Sequence, residues 1–166
     1  MGKLYLTVGD YILNSEGKDA IVNAQNKYMV KGSGICGAIY NAAGNELEKY
    51  CKNTYKENMK NNEVRITKGF NLKMDIIHIL APKYYEEKEP INSLMECYKS
   101  LLKSIKENNY KKVLMPSLGT GIHGYKHEDV AKPLIDLLLD FCNNNDIDIY
   151  LNNMYPKEKD IYSKYL

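Results

Sequence analysis

The sequence has no tryptophan, only two phenylalanines and five prolines among 166 residues, and no excess of charge of either sign: 23 basic and 21 acidic side chains leave a formal charge of +2. Acids and bases alternate along the chain, which excludes the one-sided positive field a protein needs to dock on duplex nucleic acid. No apolar run approaches the ~20 residues of a membrane-spanning helix. The opening MGKLYLTVGD lacks the basic-then-apolar order of a secretory leader, and Leu6 stands where N-myristoylation requires Ser or Thr. Cysteine is scarce and scattered. Cys36, Cys51, Cys97 and Cys142 form no CxxC pair, so neither a zinc knuckle nor a disulfide framework is indicated. The expected setting is a reducing cytoplasm, and neither a metal nor a cofactor is expected.

With 44% hydrophobic and 27% charged residues, the chain has the size and apolar content of one globular domain spanning residues 1–166. Short apolar segments bounded by turn residues read as strands at Leu4–Val8, Ala20–Asn23, Val64–Thr67, Ile76–Ala81, Val113–Pro116 and Ile147–Leu151. Helical periodicity covers Ile35–Cys51, where Ile35, Ala38, Ile39, Ala42, Ala43, Leu47, Tyr50 and Cys51 share one broad face. It also covers Ile91–Glu107 and Glu128–Asn143, with a short last helix at Lys157–Tyr165. Such alternation predicts an α/β layered domain whose ligand site lies beyond the carboxyl ends of a largely parallel sheet. NNEVRITKGFNLKMD reads instead as two strands joined by a glycine turn, so part of the sheet is expected to be antiparallel.

Two loops draw attention at those strand ends. In KGSGICGAIYNAAGNE, residues 31–46, the small residues Gly32, Ser33 and Gly34 follow a strand and open a helix. Free N–H groups and the helix dipole favour an anion such as phosphate there. A glycine-rich loop also serves simply to let strand and helix meet closely. The spacing of Gly32, Gly34 and Gly37 does not complete a dinucleotide fingerprint, and the Gly-Lys-Ser/Thr of a P-loop is missing. PSLGTGIHGYKHED, residues 116–129, repeats the chemistry: Gly119, Gly121 and Gly124 follow an apolar strand and lead to a helix starting with Glu128 and Asp129. Two such loops can clamp one diphosphate from both sides. DAIVNAQN ends a buried strand in Asn23 and Asn26, whose carboxamides suit ribose hydroxyls but equally suit turns. Asp10 closes the first strand, where a carboxylate accepts from an exocyclic amine or merely makes a turn. His78 sits in an apolar strand as a core histidine, and His127 at a helix start.

Taken in order, VGDYI, DAIVNAQN, GSGICGAIYNAAG, VRITKGFNL, IIHILAPKY and SLGTGIHGY resemble the macrodomain family of ADP-ribose-binding modules over about residues 5–150. The resemblance implies a three-layer α/β/α fold with a mixed central sheet of six or more strands and an ADP-ribose cleft at the strand ends. Carried onto this chain, it implies that Asp10 holds the adenine amine, with Tyr11 and Asn152 nearby, and that the base lies near Leu151–Tyr155. It further implies that Asn26 holds the distal ribose, with Asn23 a further ligand-binding candidate. Gly32, Ser33, Gly34, Ile35 and Cys36 line the distal ribose and diphosphate, opposite Ser117, Gly119, Thr120, Gly121, Ile122, His123 and Gly124.

The implied activity is hydrolysis of ADP-ribose conjugates, either mono-ADP-ribosylated acidic side chains or O-acetyl-ADP-ribose. The alternatives are a non-catalytic reader of ADP-ribosylated protein and an ADP-ribose 1″-phosphate phosphatase. The sequence departs from the family's best-known hydrolases where their helix start reads Gly-Val-Asp-Gly-Ala-Ile-His, since Cys36 and Tyr40 replace the Asp and the His. A thiol, with an ordinary pKa near ~8.5, is a poor substitute for a carboxylate, although a helix N-terminus is expected to lower it. Catalytic candidates are therefore Asn26 and His123, the latter replacing a family aromatic beside the distal ribose. Lys27 and Lys31 lie near the first loop, but their surroundings do not match the branch that uses a lysine nucleophile. Neither a membrane nor a duplex nucleic acid is an expected partner, and a monomer is expected.

Overall fold

The computed structural model describes residues 1–166. Five parallel strands and one antiparallel edge strand form a single sheet: β1 (Leu4–Val8), β2 (Ala20–Ala24), β3 (Val64–Thr67), β4 (Asp75–Ile79), β5 (Lys112–Pro116) and β6 (Asp148–Asn153). Their order is β1-β6-β5-β2-β4-β3, and only β3 runs antiparallel to its neighbour β4. The central strands are apolar without alternation, as in Ala20-Ile21-Val22, because both faces of a parallel sheet are covered.

Helices α1 (Tyr11–Asn14), α2 (Gly34–Ala43) and α3 (Asn45–Thr54) pack on one face, and α4 (Pro90–Glu107), α5 (His127–Asn144) and α6 (Pro156–Ser163) on the other. The pleat divides neighbouring residues of one strand between the two layers. Ile21 packs with Ile39, Tyr40 and Leu47 on the first face, whereas Val22 packs with Leu94, Leu134 and Leu138 on the second. The result is a mixed six-stranded α/β/α sandwich with two apolar cores, and none of its helices is long and apolar enough to cross a membrane. All four cysteines are buried and free.

The single helix expected over Ile35–Cys51 is two. Gly44 adopts φ 89°, a left-handed value open to glycine at little cost, and its N–H bonds to the Tyr40 carbonyl at 3.0 Å to end α2. The carbonyl of Ala43 then accepts from Asn71 N–H in the β3–β4 turn at 3.0 Å. Periodicity ran on through the break because Leu47 and Cys51 of α3 fill the same core as Ile39 and Ala43 of α2. Several strand limits shift by one residue, and two by two: β4 ends at Ile79 rather than Ala81, and β6 continues to Asn153 rather than stopping at Leu151. The extra turn of β6 carries Asn152 and Asn153 to the carboxyl edge of the sheet.

Candidate functional site

A cavity of about 520 Å³ opens over the carboxyl ends of β6, β5, β2 and β4, within the range of small-molecule sites of about 300–1,000 Å³. Two loops form opposite walls. One runs from β2 to α2 and contributes Asn26 and Gly32 to Cys36; the other runs from β5 to α5 and contributes Ser117 and Gly119 to His123. The backbone N–H groups from Ser33 to Cys36 and from Gly119 to His123 have no hydrogen-bond partner in the protein. For Gly34, Ile35 and Cys36 the cause is position, since a first helical turn has no preceding carbonyls, and the N-cap Ser33 makes no side-chain bond to replace them. No lysine or arginine lines the cavity. Positive potential for an anion comes from amide dipoles and the start of α2.

Why the first loop holds its shape is visible beneath it. The Val30 carbonyl accepts from Asn26 Nδ2 at 2.7 Å, from Gln25 Nε2 at 3.0 Å and from the Cys36 thiol at 3.6 Å. Asn26 Oδ1 in turn accepts the N–H groups of Tyr28 at 3.1 Å and Val30 at 3.3 Å, so its carboxamide closes the turn while its edge faces the cavity. Gln25 Oε1 receives Tyr40 O–H at 2.8 Å and Asn23 Nδ2 at 2.9 Å, and lies 3.1 Å from His78 Nδ1. His78 Nε2 lies 2.9 Å from the Thr67 hydroxyl. Burial, assisted by the Arg65 charge, depresses the His78 imidazole to about 3, so it is neutral. Helix α2 presses directly onto this loop: a Cβ at Gly37 would stand 2.6 Å from the Gly32 carbonyl oxygen.

The second loop is anchored from its own side. The Tyr98 hydroxyl oxygen accepts Leu118 N–H at 2.6 Å, Ser117 Oγ–H donates to Asn153 Oδ1 at 2.9 Å, and Tyr84 N–H donates to the His123 carbonyl at 2.9 Å. The half-buried His123 imidazole lies against the carbonyls of Pro82 and Ala81, with Nδ1 unpartnered. Desolvation by burial holds it below the usual histidine range despite those carbonyls. Tyr11 forms part of the floor, its hydroxyl donating to the Val22 carbonyl at 2.6 Å between β2 and β5.

Most of the residues singled out in the sequence meet in this cavity: Tyr11, Asn26, Gly32, Ser33, Gly34, Ile35, Cys36, Ser117, Gly119, Thr120, Gly121, Ile122, His123 and Asn152. Three do not. Asn23 is fully buried behind the floor, committed to Gln25 and His78. Gly124 sits outside, against the Tyr85 ring. Asp10 caps α1, accepting Leu13 N–H at 3.0 Å, one residue before the lining Tyr11. In the stretch Leu151–Tyr155, Leu151 is core, whereas Asn152, Asn153 and Met154 line the cavity. The Cys36 thiol is raised by burial rather than lowered by the helix start, because desolvation outweighs its hydrogen bonds. Tyr40 is buried and points at Gln25 and the Met29 carbonyl.

Sequence reasoning missed Gln25, the hub under the first loop, although it stands between the two asparagines that were noted. It also missed Glu158, which α6 brings to the wall, and assigned His127 no place in the cavity. No group of three or more His, Cys, Asp or Glu is placed to hold a metal ion.

Comparison with known proteins gives the geometry relatives. Residues 22–134 match the family model described as Macro domain. The human ADP-ribose glycohydrolase MACROD2 is 34% identical over 130 residues, which covers 76% of this chain and 30% of that protein. A macrodomain of Oceanobacillus iheyensis solved with ADP aligns with a TM-score of 0.86 at 29% identity, over 98% of this chain and 88% of its own. A Trypanosoma brucei macrodomain in complex with ADP-ribose aligns at 0.82 and 25% identity, over 97% of this chain and 68% of its own.

Proposed function

The chain belongs to the Macro domain family, and on that premise we propose that its cavity binds ADP-ribose and that the protein hydrolyses ADP-ribose conjugates, namely mono-ADP-ribosylated acidic side chains or O-acetyl-ADP-ribose. The observation that carries the reading is the pair of uncommitted N–H runs, Ser33 to Cys36 and Gly119 to His123, on opposite walls of one cavity. A diphosphate between them accepts from both walls without a cationic side chain. The names of the relatives, an ADP-ribose glycohydrolase and macrodomains solved with ADP and ADP-ribose, support the same ligand.

In this arrangement the adenosine lies over the β6 end, near Asp10, Tyr11 and Asn152, and the distal ribose over the β2–β4 end, near Asn26, Ala81 and His123. Asn26 orients the ribose with the amide hydrogen that its Val30 bond leaves free. A water held at the diphosphate attacks the anomeric carbon. The new carbon–oxygen bond forms as the bond to the conjugated carboxylate breaks; the carboxylate leaves with the electron pair, and the water proton passes to the His123 imidazole at the cavity wall. An imidazole at the cavity wall that burial keeps neutral is equipped for that transfer. With O-acetyl-ADP-ribose, the same water attacks the acetyl carbonyl; the acyl–oxygen bond breaks, acetate departs, and the ribose oxygen leaves with the electron pair and takes up the proton.

A second reading, binding without turnover, is favoured by one observation. The Cys36 thiol at the cavity wall is kept neutral by burial and donates to the Val30 carbonyl, and Tyr40 is buried against Gln25, so no carboxylate stands at the distal end. The experiment that separates the two is release of free ADP-ribose from a protein mono-ADP-ribosylated on Glu or Asp, with the chain well below substrate concentration. Multiple turnovers establish the hydrolase; tight binding of ADP-ribose with no release from this substrate or from O-acetyl-ADP-ribose establishes the reader.

A further inference from the structure

One carboxylate lines the cavity, Glu158, and nothing in the proposed reaction uses it. Helix α6 follows β6 directly, so Glu158 belongs to the wall formed by Asn152, Asn153 and Met154, at the end remote in strand order from Ala81 after β4. The carboxylate is held on both oxygens. Oε1 accepts Tyr155 N–H at 3.2 Å and closes the capping box of α6, while Oε2 lies 3.2 Å from Nε2 of His127 at the start of α5. His127 Nδ1 lies 2.8 Å from the Tyr162 hydroxyl. The tautomer that satisfies both contacts has Tyr162 donating to Nδ1 and His127 Nε2–H donating to Glu158. His127 and Glu158 are still 18% and 23% exposed at their side chains, and both face the cavity.

Resting on the reading of this cavity as an ADP-ribose site, we propose that Glu158, oriented by His127 and Tyr162, determines specificity at the adenosine ribose: it accepts a ribose hydroxyl and rejects ADP-ribose that carries a phosphate there. A carboxylate only accepts, so a hydroxyl completes it, whereas a phosphate brings like charge against it. No lysine or arginine in the cavity offsets that repulsion. A ligand with charged phosphates and neutral ends places a neutral end beside Glu158, because the free N–H groups that suit phosphate lie on the two glycine loops. An acidic side chain on the ribose 2′-hydroxyl, replaced by arginine where a 2′-phosphate must fit, makes the same discrimination in dinucleotide-binding folds.

The test is calorimetric titration of the whole chain with ADP-ribose and with 2′-phospho-ADP-ribose, on the wild type and on Glu158→Gln. Glutamine keeps an acceptor for Tyr155 N–H, so the start of α6 is retained. The wild type is expected to prefer ADP-ribose by at least ~30-fold, and Glu158→Gln to weaken ADP-ribose about threefold while tightening the 2′-phosphate about tenfold. Opposite movement of the two affinities is not a consequence of a loosened helix, which weakens both. A wild-type ratio near one, or a ratio unchanged in Glu158→Gln, overturns the proposal. Absence of binding by either nucleotide overturns the ADP-ribose reading itself, and the proposal with it.

Discussion

Acidification from pH ~6 to ~4 is expected to remove roughly 2–3 kcal/mol of folding stability through His78 alone. The folded chain holds this imidazole at about 3, whereas in an unfolded chain a histidine titrates near ~6.5. Between those values the unfolded state binds a proton that the folded state refuses. The stabilising contribution is therefore whole above about pH 6.5 and declines as pH falls toward the folded value, at up to about 1.4 kcal/mol per pH unit. Urea unfolding of the wild type and of His78→Gln, repeated at both pH values, isolates this contribution. The substitution costs stability at neutral pH, since Thr67, Asn23 and Gln25 lose a partner, but the quantity compared is the pH slope. Other groups that titrate appear equally in both proteins and cancel. The variant should lose roughly 2–3 kcal/mol less than the wild type over the interval. Equal slopes would mean that His78 is protonated readily in the folded state, and would refute the picture of a neutral network under the first loop.

Gly121→Glu is expected to abolish ADP-ribose binding in calorimetry with an unchanged thermal midpoint, because the backbone there is not left-handed and a Cβ meets nothing within 4 Å; undiminished affinity would remove the clamp between the loops. Asn26→Ala should lower turnover on the order of 100-fold by misplacing the distal ribose, with a much smaller change in affinity; equal losses in kcat and affinity would reduce Asn26 to a simple ribose contact. His123→Phe should retain binding, lower kcat on the order of 100-fold, and erase an acidic limb of the kcat/KM profile that lies below the ordinary histidine value of ~6.5. The limb is placed there because burial lowers this imidazole, so its base form persists to lower pH than usual. An unchanged profile would leave His123 as a packing group.

What was legible in the sequence was carried by local signals. Unbroken apolar strands, glycine clusters at strand ends and a helix beginning at Ile35 are properties of neighbouring residues, and they located the sheet and both walls of the cavity. Gly44 was equally local, yet its break was hidden because α2 and α3 bury a continuous stripe in one core. Gln25 was not legible, since its value lies in what Tyr40, His78 and Asn23 bring to it from three other elements. Asn23 was misplaced for a related reason. Strand alternation sends it away from Ala24 and toward the interior, while the cavity begins at the strand's end. Glu158 and His127 meet only because α6 packs on α5, a contact that neither segment announces by itself.

The cavity's reliance on amides in place of lysine and arginine fixes how far away an anion is felt. A full charge reaches roughly one Debye length, about 8 Å at physiological salt, whereas opposed bond dipoles fade within a few bond lengths of the wall. With a formal charge of only +2 behind it, the protein neither gathers polyanions from solution nor steers them inward. A phosphate is recognised only after it has entered the cleft, so the two facing runs of amides, and not the field around the protein, do the sorting. Association should accordingly be slow to respond to ionic strength, a behaviour opposite to that of a basic surface.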